Sequence, residues 1–209
     1  LGRPDDILAD VVGNSIELDA MGGSIGAANG EDLNIDTGSV VGATLTSSSY
    51  TNSYIHETDG DLWLYTVGST LGTAFIDSSG GIYNGNLTGS NVTSGWTRLY
   101  AVDDIGQEAN MLETTVGYLE GRSTSGEVYI HNTGHVTVGG VSDGAEGIEA
   151  DGNVNIIASS PVTVTESISA ASINIVASDD AVDGTVDTDD DLIVQSGVTL
   201  EATAGNIAL

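Results

Sequence analysis

The chain has 209 residues, with 31 acids against three basic residues (Arg3, Arg98 and Arg122), no cysteine, and a formal net charge of −28. Such a balance repels phosphate backbones and anionic membrane surfaces, which argues against nucleic acid and membranes as partners, and it attracts cations. The absence of cysteine removes disulfides and thiol chemistry, while 39% hydrophobic residues, mostly in short alternating runs, set the chain apart from disordered acidic sequences.

Taken in chain order, the alternating runs are SIELDA (15–20), DLNID (32–36), GDLWLYTV (60–67), GEVYIHN (126–132) and GHVTVGGV (134–141). They continue as GNVNIIA (152–158), PVTVTES (161–167), ASINIVA (171–177), DLIVQSGVTLEA (191–202) and GNIAL (205–209). Period-two runs bounded by Gly, Asn, Asp and Ser read as half-buried strands, and no segment sustains helical spacing. No leader-type segment opens the sequence, and no apolar run approaches the ~20 residues that span a bilayer. The sequence therefore reads as a mature protein or as a segment of a longer one.

The runs repeat. Residues 25–43 align with 105–123, placing Ile25 on Ile105, Leu33 on Leu112 and Gly38 on Gly117. Residues 54–67 align with 129–141, so that Tyr54-Ile55-His56 falls on Tyr129-Ile130-His131. Within each copy, shorter units recur roughly every 20 residues, the length of one solenoid coil. The expected fold is all-β: a single right-handed parallel β-helix over 1–209 with almost no helix. At about 23 residues per coil it would have roughly nine coils. The internal repeat occupies about 15–85 and 97–141, and a C-terminal solenoid part occupies 142–209. Glycine belongs at corners where positive φ is needed.

His131 and His135 stand four residues apart, the spacing of a metal-binding pair on a helix. On a strand, residues 128 and 130 point inward and 129 and 131 outward, and a glycine turn separates the two histidines. A specific zinc site also needs three or four ligands. The pair reads as solenoid wall, His131 recurring as His56 and His135 falling on Asp61.

LETTVGYLEGRSTSGEVYIHNTGHVTVGGV (112–141), GNVNIIASSPVTVTESISAASINIVAS (152–178) and AFIDSSGGIYNGN (74–86) resemble the β-helical repeat region of filamentous-haemagglutinin-type exoproteins and related giant bacterial adhesins. The similarity covers most of residues 15–209. It implies a coil-by-coil parallel β-helix in an extracellular or cell-surface protein. The sequence departs from the family in its acidity and in showing no N-terminal secretion domain of the two-partner type.

Parallel β-helices also carry polysaccharide lyases and hydrolases, so the fold alone does not decide catalysis. A lyase acting on acidic sugars needs cations and a base, and a glycosidase needs two carboxylates across a cleft. With 31 acids such a pair can be drawn anywhere, so the reading is not an enzyme. Trp63 and Trp96 could form a sugar-stacking platform, although single tryptophans on a β wall are more often packing. The expected function is structural, as an extracellular segment of an adhesin, filament or matrix protein that gives length, stiffness and an anionic surface. The alternative is a carbohydrate- or receptor-binding module. One cofactor is suggested: Asp179, Asp180, Asp183, Asp187, Asp189, Asp190 and Asp191 crowd a single stretch that could hold Ca²⁺. Neither end shows a cap, so the expected partner is self, head to tail along the axis, with the chain continuing or copies stacking. A cell-surface or glycan partner is the further possibility.

Overall fold

The computed structural model describes residues 8–28, 31–38, 42–142, 147–178 and 191–209. Among these there is no helix. Every ladder between strands is parallel, and the strands form one stacked β-solenoid of about seven turns.

The first coils carry two strands each: β1 (Val11–Val12), β2 (Ser15–Ala20) with β3 (Leu33–Asp36), β4 (Thr44–Ser49) with β5 (Ser53–Glu57), and β6 (Leu62–Ser69) with β7 (Thr73–Ser78). The next pair is β8 (Ile82–Asn84) and β9 (Val92–Ala101), and then β10 (Leu112–Ser123) runs for 12 residues. Above it each coil carries three short strands. These are β11 (Val128–Asn132), β12 (Val136–Val138) and β13 (Ile148–Ala150), then β14 (Val154–Ser159), β15 (Val162–Val164) and β16 (Ile168–Ala170). The last are β17 (Ile173–Ser178), β18 (Leu192–Val194), β19 (Leu200–Ala202) and β20 (Ile207–Ala208).

Register fixes three walls. On the first, β2, β4 and β6 lead through β8 and the start of β9 to the start of β10, then to β11, β14, β17 and β20. On the second, β1, β3, β5 and β7 lead to the ends of β9 and β10, then to β13, β16 and β19. The third wall begins at β10, where Tyr118 and Leu119 pair with Thr137 and Val138 of β12, and continues through β15 and β18. β10 is thus the strand on which a two-walled coil becomes a three-walled one.

Alternation places one side chain in two inside. On the second wall Ile55, Ile76, Leu99, Ile148 and Ile168 lie in one interior column, all fully or almost fully buried. The matching column of the first wall runs through Leu62, Ile82, Ile105, Val128, Val154 and Ile173. Each such side chain is worth roughly 1.5–3 kcal/mol of burial, so the ladder of apolar columns is the principal stabiliser.

Expectation and structure differ in the coil count, about seven against roughly nine. Segments such as 85–91 and 106–111 leave the walls between strands, so they consume residues without adding rungs. The repeat is visible as geometry. Ile25 bridges Ser53 and Ile105 bridges Val128. Gly26 and Gly106 follow at φ 65 and 71°, and Leu33 and Leu112 then pair with Ile55 and Ile130. A Cβ at Gly26 would lie 2.3 Å from the Tyr54 carbonyl oxygen and one at Gly106 2.1 Å from that of Tyr129, so both turns demand glycine.

Candidate functional site

Of the proposed Ca²⁺ ligands, Asp179, Asp180, Asp183, Asp187, Asp189 and Asp190 lie outside the described residues. Asp191 is exposed, and its backbone carbonyl accepts a hydrogen bond from the Val162 N–H, which seats the start of β18 on β15. Among the described residues no group of three or more His, Cys, Asp or Glu side chains is placed to hold a metal ion.

His131 points out of β11, and its Nδ1 lies 2.7 Å from Glu113 Oε2, the residue beneath it in register. His135 is exposed beyond Gly134. Between them Asn132 is fully buried. It accepts from Thr114 Oγ1 and the Val116 N–H, and donates to the carbonyls of Val116 and Gly134. The pair is therefore divided by an inward amide that closes the corner.

The outer face of the second wall gathers the two described arginines. Tyr54 and Phe75 stack with centroids 5.1 Å apart, and Arg98 lies 4.7 Å over Phe75 while pairing with Asp77 at 3.3 Å. One rung on, Arg122 lies 5.3 Å over Tyr100 and pairs with Glu149 at 2.9 Å. Each guanidinium thus holds one ring and one carboxylate, an arrangement that braces successive coils. Burial raises the pKa of Asp77 despite Arg98, and it raises that of Asp32 in the same neighbourhood. A cavity of about 440 Å³ opens beside Arg98, Tyr100 and Arg122. Glu120, almost fully buried at its edge, accepts from the N–H groups of Val141 and Ser142 and from Ser142 Oγ, tying down the exit from β12.

Trp63 and Trp96 do not share a platform. Trp96 lies on the second wall, stacked on Tyr118 at 5.7 Å and exposed. Trp63 lies on the first wall, 5.0 Å from Tyr83. Tyr83 is buried, and its hydroxyl is pushed up to about 12, first by burial and then by Asp61, Asp104 and Asp103. Beside Trp63 a groove of about 630 Å³ runs between the corner at Gly60, Asp61 and Gly80 and the segment 84–87. Sequence reasoning named Trp63 but missed Tyr83 and the asparagines of this segment. Their only signal was GIYNGN, a short strand framed by glycines.

Among the described residues, a further ionisable group lies in the interior. Glu57 is fully buried beneath the corner of β5 and accepts from the Thr37 N–H and Thr37 Oγ1. Burial carries its pKa up to about 7, against the opposing effect of the Thr37 hydrogen bonds.

No family model, no curated protein and no solved structure matches the chain.

Proposed function

We propose that this chain is a structural β-solenoid segment of an extracellular adhesin, filament or matrix protein, supplying length, stiffness and an anionic outer surface. The observation that supports it is the continuous parallel stacking of the walls, whose register shifts once in the β4–β6 ladder between Leu45 and Thr46, and in which each rung is hydrogen-bonded and apolar-stacked on its neighbours. Stiffness then follows from local contacts and length from the number of coils. The rings and ion pairs of the second wall brace that stack instead of facing a common reaction centre. In the coil 191–209, Val194 and Ile207 occupy interior columns yet are 38% and 43% exposed. A further coil in the same register would cover them, whether from continuing chain or from a second copy stacked head to tail. Negative walls keep such rods apart laterally and leave axial pairing open, because ladder hydrogen bonds and apolar stacking act along the axis.

Sedimentation and electron microscopy of the chain across a concentration series, with and without divalent ions, test the reading. Rods that lengthen along the axis are expected. Compact monomers at every concentration, from a gene encoding nothing beyond these residues, would contradict it.

A further inference from the structure

We infer that the groove on the first wall is a binding site for a neutral pyranose chain, with Trp63 as its stacking platform. This goes beyond a purely structural role and does not depend on it.

Trp63 lies between Leu62 and Leu64, both fully buried, so alternation turns its indole outward into the groove while the strand stays anchored. The core does not need it there. Tyr83, one rung above in register and buried, packs beside the indole and fixes its orientation before any ligand arrives. A preorganised aromatic face is what the apolar face of a sugar ring stacks on, at little entropic cost.

The groove is concave because glycine is forced along its floor. A Cβ at Gly80 would lie 2.5 Å from the Gly60 carbonyl oxygen, and one at Gly85 2.9 Å from that of Leu64. The coils approach so closely there that no side chain fits, and the wall is hollowed beside the indole. A volume of about 630 Å³ suits a short oligosaccharide.

The polar groups around it suit hydroxyls. Asn84 and Asn86 line the segment that forms one side, and Asp61 stands exposed on the other. Asn86 is 9% exposed; its Nδ2 donates to the Tyr65 carbonyl and its N–H donates to Asn84 Oδ1. Its own Oδ1 is buried without a hydrogen-bond partner. An unmet buried acceptor is costly, and a donor entering from the groove would satisfy it. Sugar hydroxyls supply such donors and also accept from amides. Among the described residues no cation lines the groove, whereas Asp61 and Asp103 do, so an acidic polysaccharide is disfavoured and a neutral one is selected.

The test uses the whole chain with cellohexaose, xylohexaose and mannohexaose as neutral probes and polygalacturonate as the acidic one, followed by calorimetry. Saturable binding of at least one neutral hexaose is expected, with none of polygalacturonate. Trp63→Ala is expected to weaken that binding at least tenfold and Asn86→Ala three- to tenfold, while Trp96→Ala, on the other wall, leaves it unchanged. Because the chain has two tryptophans, Trp96→Phe isolates the emission of Trp63, which is expected to shift on titration even if Trp63→Ala does not fold. Failure of all three neutral probes, equal binding of polygalacturonate, or a Trp63 emission that ignores a bound sugar would overturn the inference. None of these results bears on whether the chain forms rods.

Discussion

The coils below β10 and those above it solve the same packing problem with different side chains. One interior column of the first wall reads Ser47, Val67, Val92, Thr114, Asn132, Ala158, Ala177 in ascending order. A column of the second wall reads Glu57, Ser78, Ala101, Ser123, Ala150. Below, both columns carry polar groups; above, both turn to alanine, the second at Ala150 and the first one coil later at Ala158, after Asn132. The change follows the start of the third wall. In a two-walled coil the strands are long, and the sharp corners leave backbone groups that cannot reach the next rung. Buried side chains such as Ser78 and Asn91 satisfy them, Asn91 for example donating to the Leu64 carbonyl at 2.8 Å. Three short strands spread the turn over three corners, and small apolar side chains then suffice. At these corner columns the lower coils are thus specified by hydrogen bonds and the upper ones by aliphatic packing.

Substitutions separate the two regimes. Ile156 is fully buried between Ile130 and Ile175, and Ile156→Ala is expected to cost about 3–4 kcal/mol in urea unfolding, the sum of lost transfer and a cavity the stiff coil cannot collapse. Asn91→Ala removes less volume but strands the Glu113 N–H and takes a donor from the Leu64 carbonyl, for about 2 kcal/mol. If Asn91→Ala were neutral, the lower coils would not be specified by hydrogen bonding as described.

Glu57 sharpens the contrast, because it belongs to the lower regime and titrates. Below its ordinary pKa of 4.5 the carboxyl is protonated whether the chain is folded or not. From there to about 7 the folded protein keeps a proton that the unfolded chain releases, so stability falls as pH rises through that window and levels off above it. Burial likewise raises Asp32, Asp77 and Glu166, which add to the same slope. Glu57→Gln is expected to flatten the slope and to gain about 1–2 kcal/mol at pH 8, after allowance for solvent screening. Thermal melts from pH 4.5 to 8 check it, and an unchanged slope in the variant would assign the pH dependence elsewhere.

The smallest effect expected separates ion binding from screening. With a net charge of −28, NaCl raises the melting point by screening self-repulsion. Equal midpoints in CaCl₂ and in NaCl of matched ionic strength are the result of screening alone. A further rise in Ca²⁺ that EDTA removes would show a specifically bound ion.

The same contrast explains what was legible in the sequence. SIELDA, GNVNIIA and ASINIVA announce their strands because their inward positions are aliphatic. TLTSSS and the strand 92–101 do not show that alternation, since Ser47, Ser49 and Thr97 face inward and mimic loop composition. The corner glycines at 26 and 106 were readable through their repeat, and the close approach to the Tyr54 and Tyr129 carbonyls explains why the repeat keeps them. What stayed hidden depends on register. Glu113 becomes the partner of His131, and Tyr83 that of Trp63, only when coils some 20 residues apart are stacked, and that offset drifts as segments leave the walls.

The absence of cysteine allows register to be measured directly with pyrene maleimide on introduced pairs. Thr93 and Thr115 are outward neighbours on adjacent rungs of the lower coils, as are Thr137 and Thr163 in the upper ones. Rungs in one parallel ladder lie ~4.8 Å apart. Thr93→Cys with Thr115→Cys, and Thr137→Cys with Thr163→Cys, are each expected to give strong excimer emission, whereas Thr93→Cys with Thr163→Cys gives none. Excimer from the mismatched pair, or its absence from either matched one, would contradict a single in-register solenoid running through both regimes.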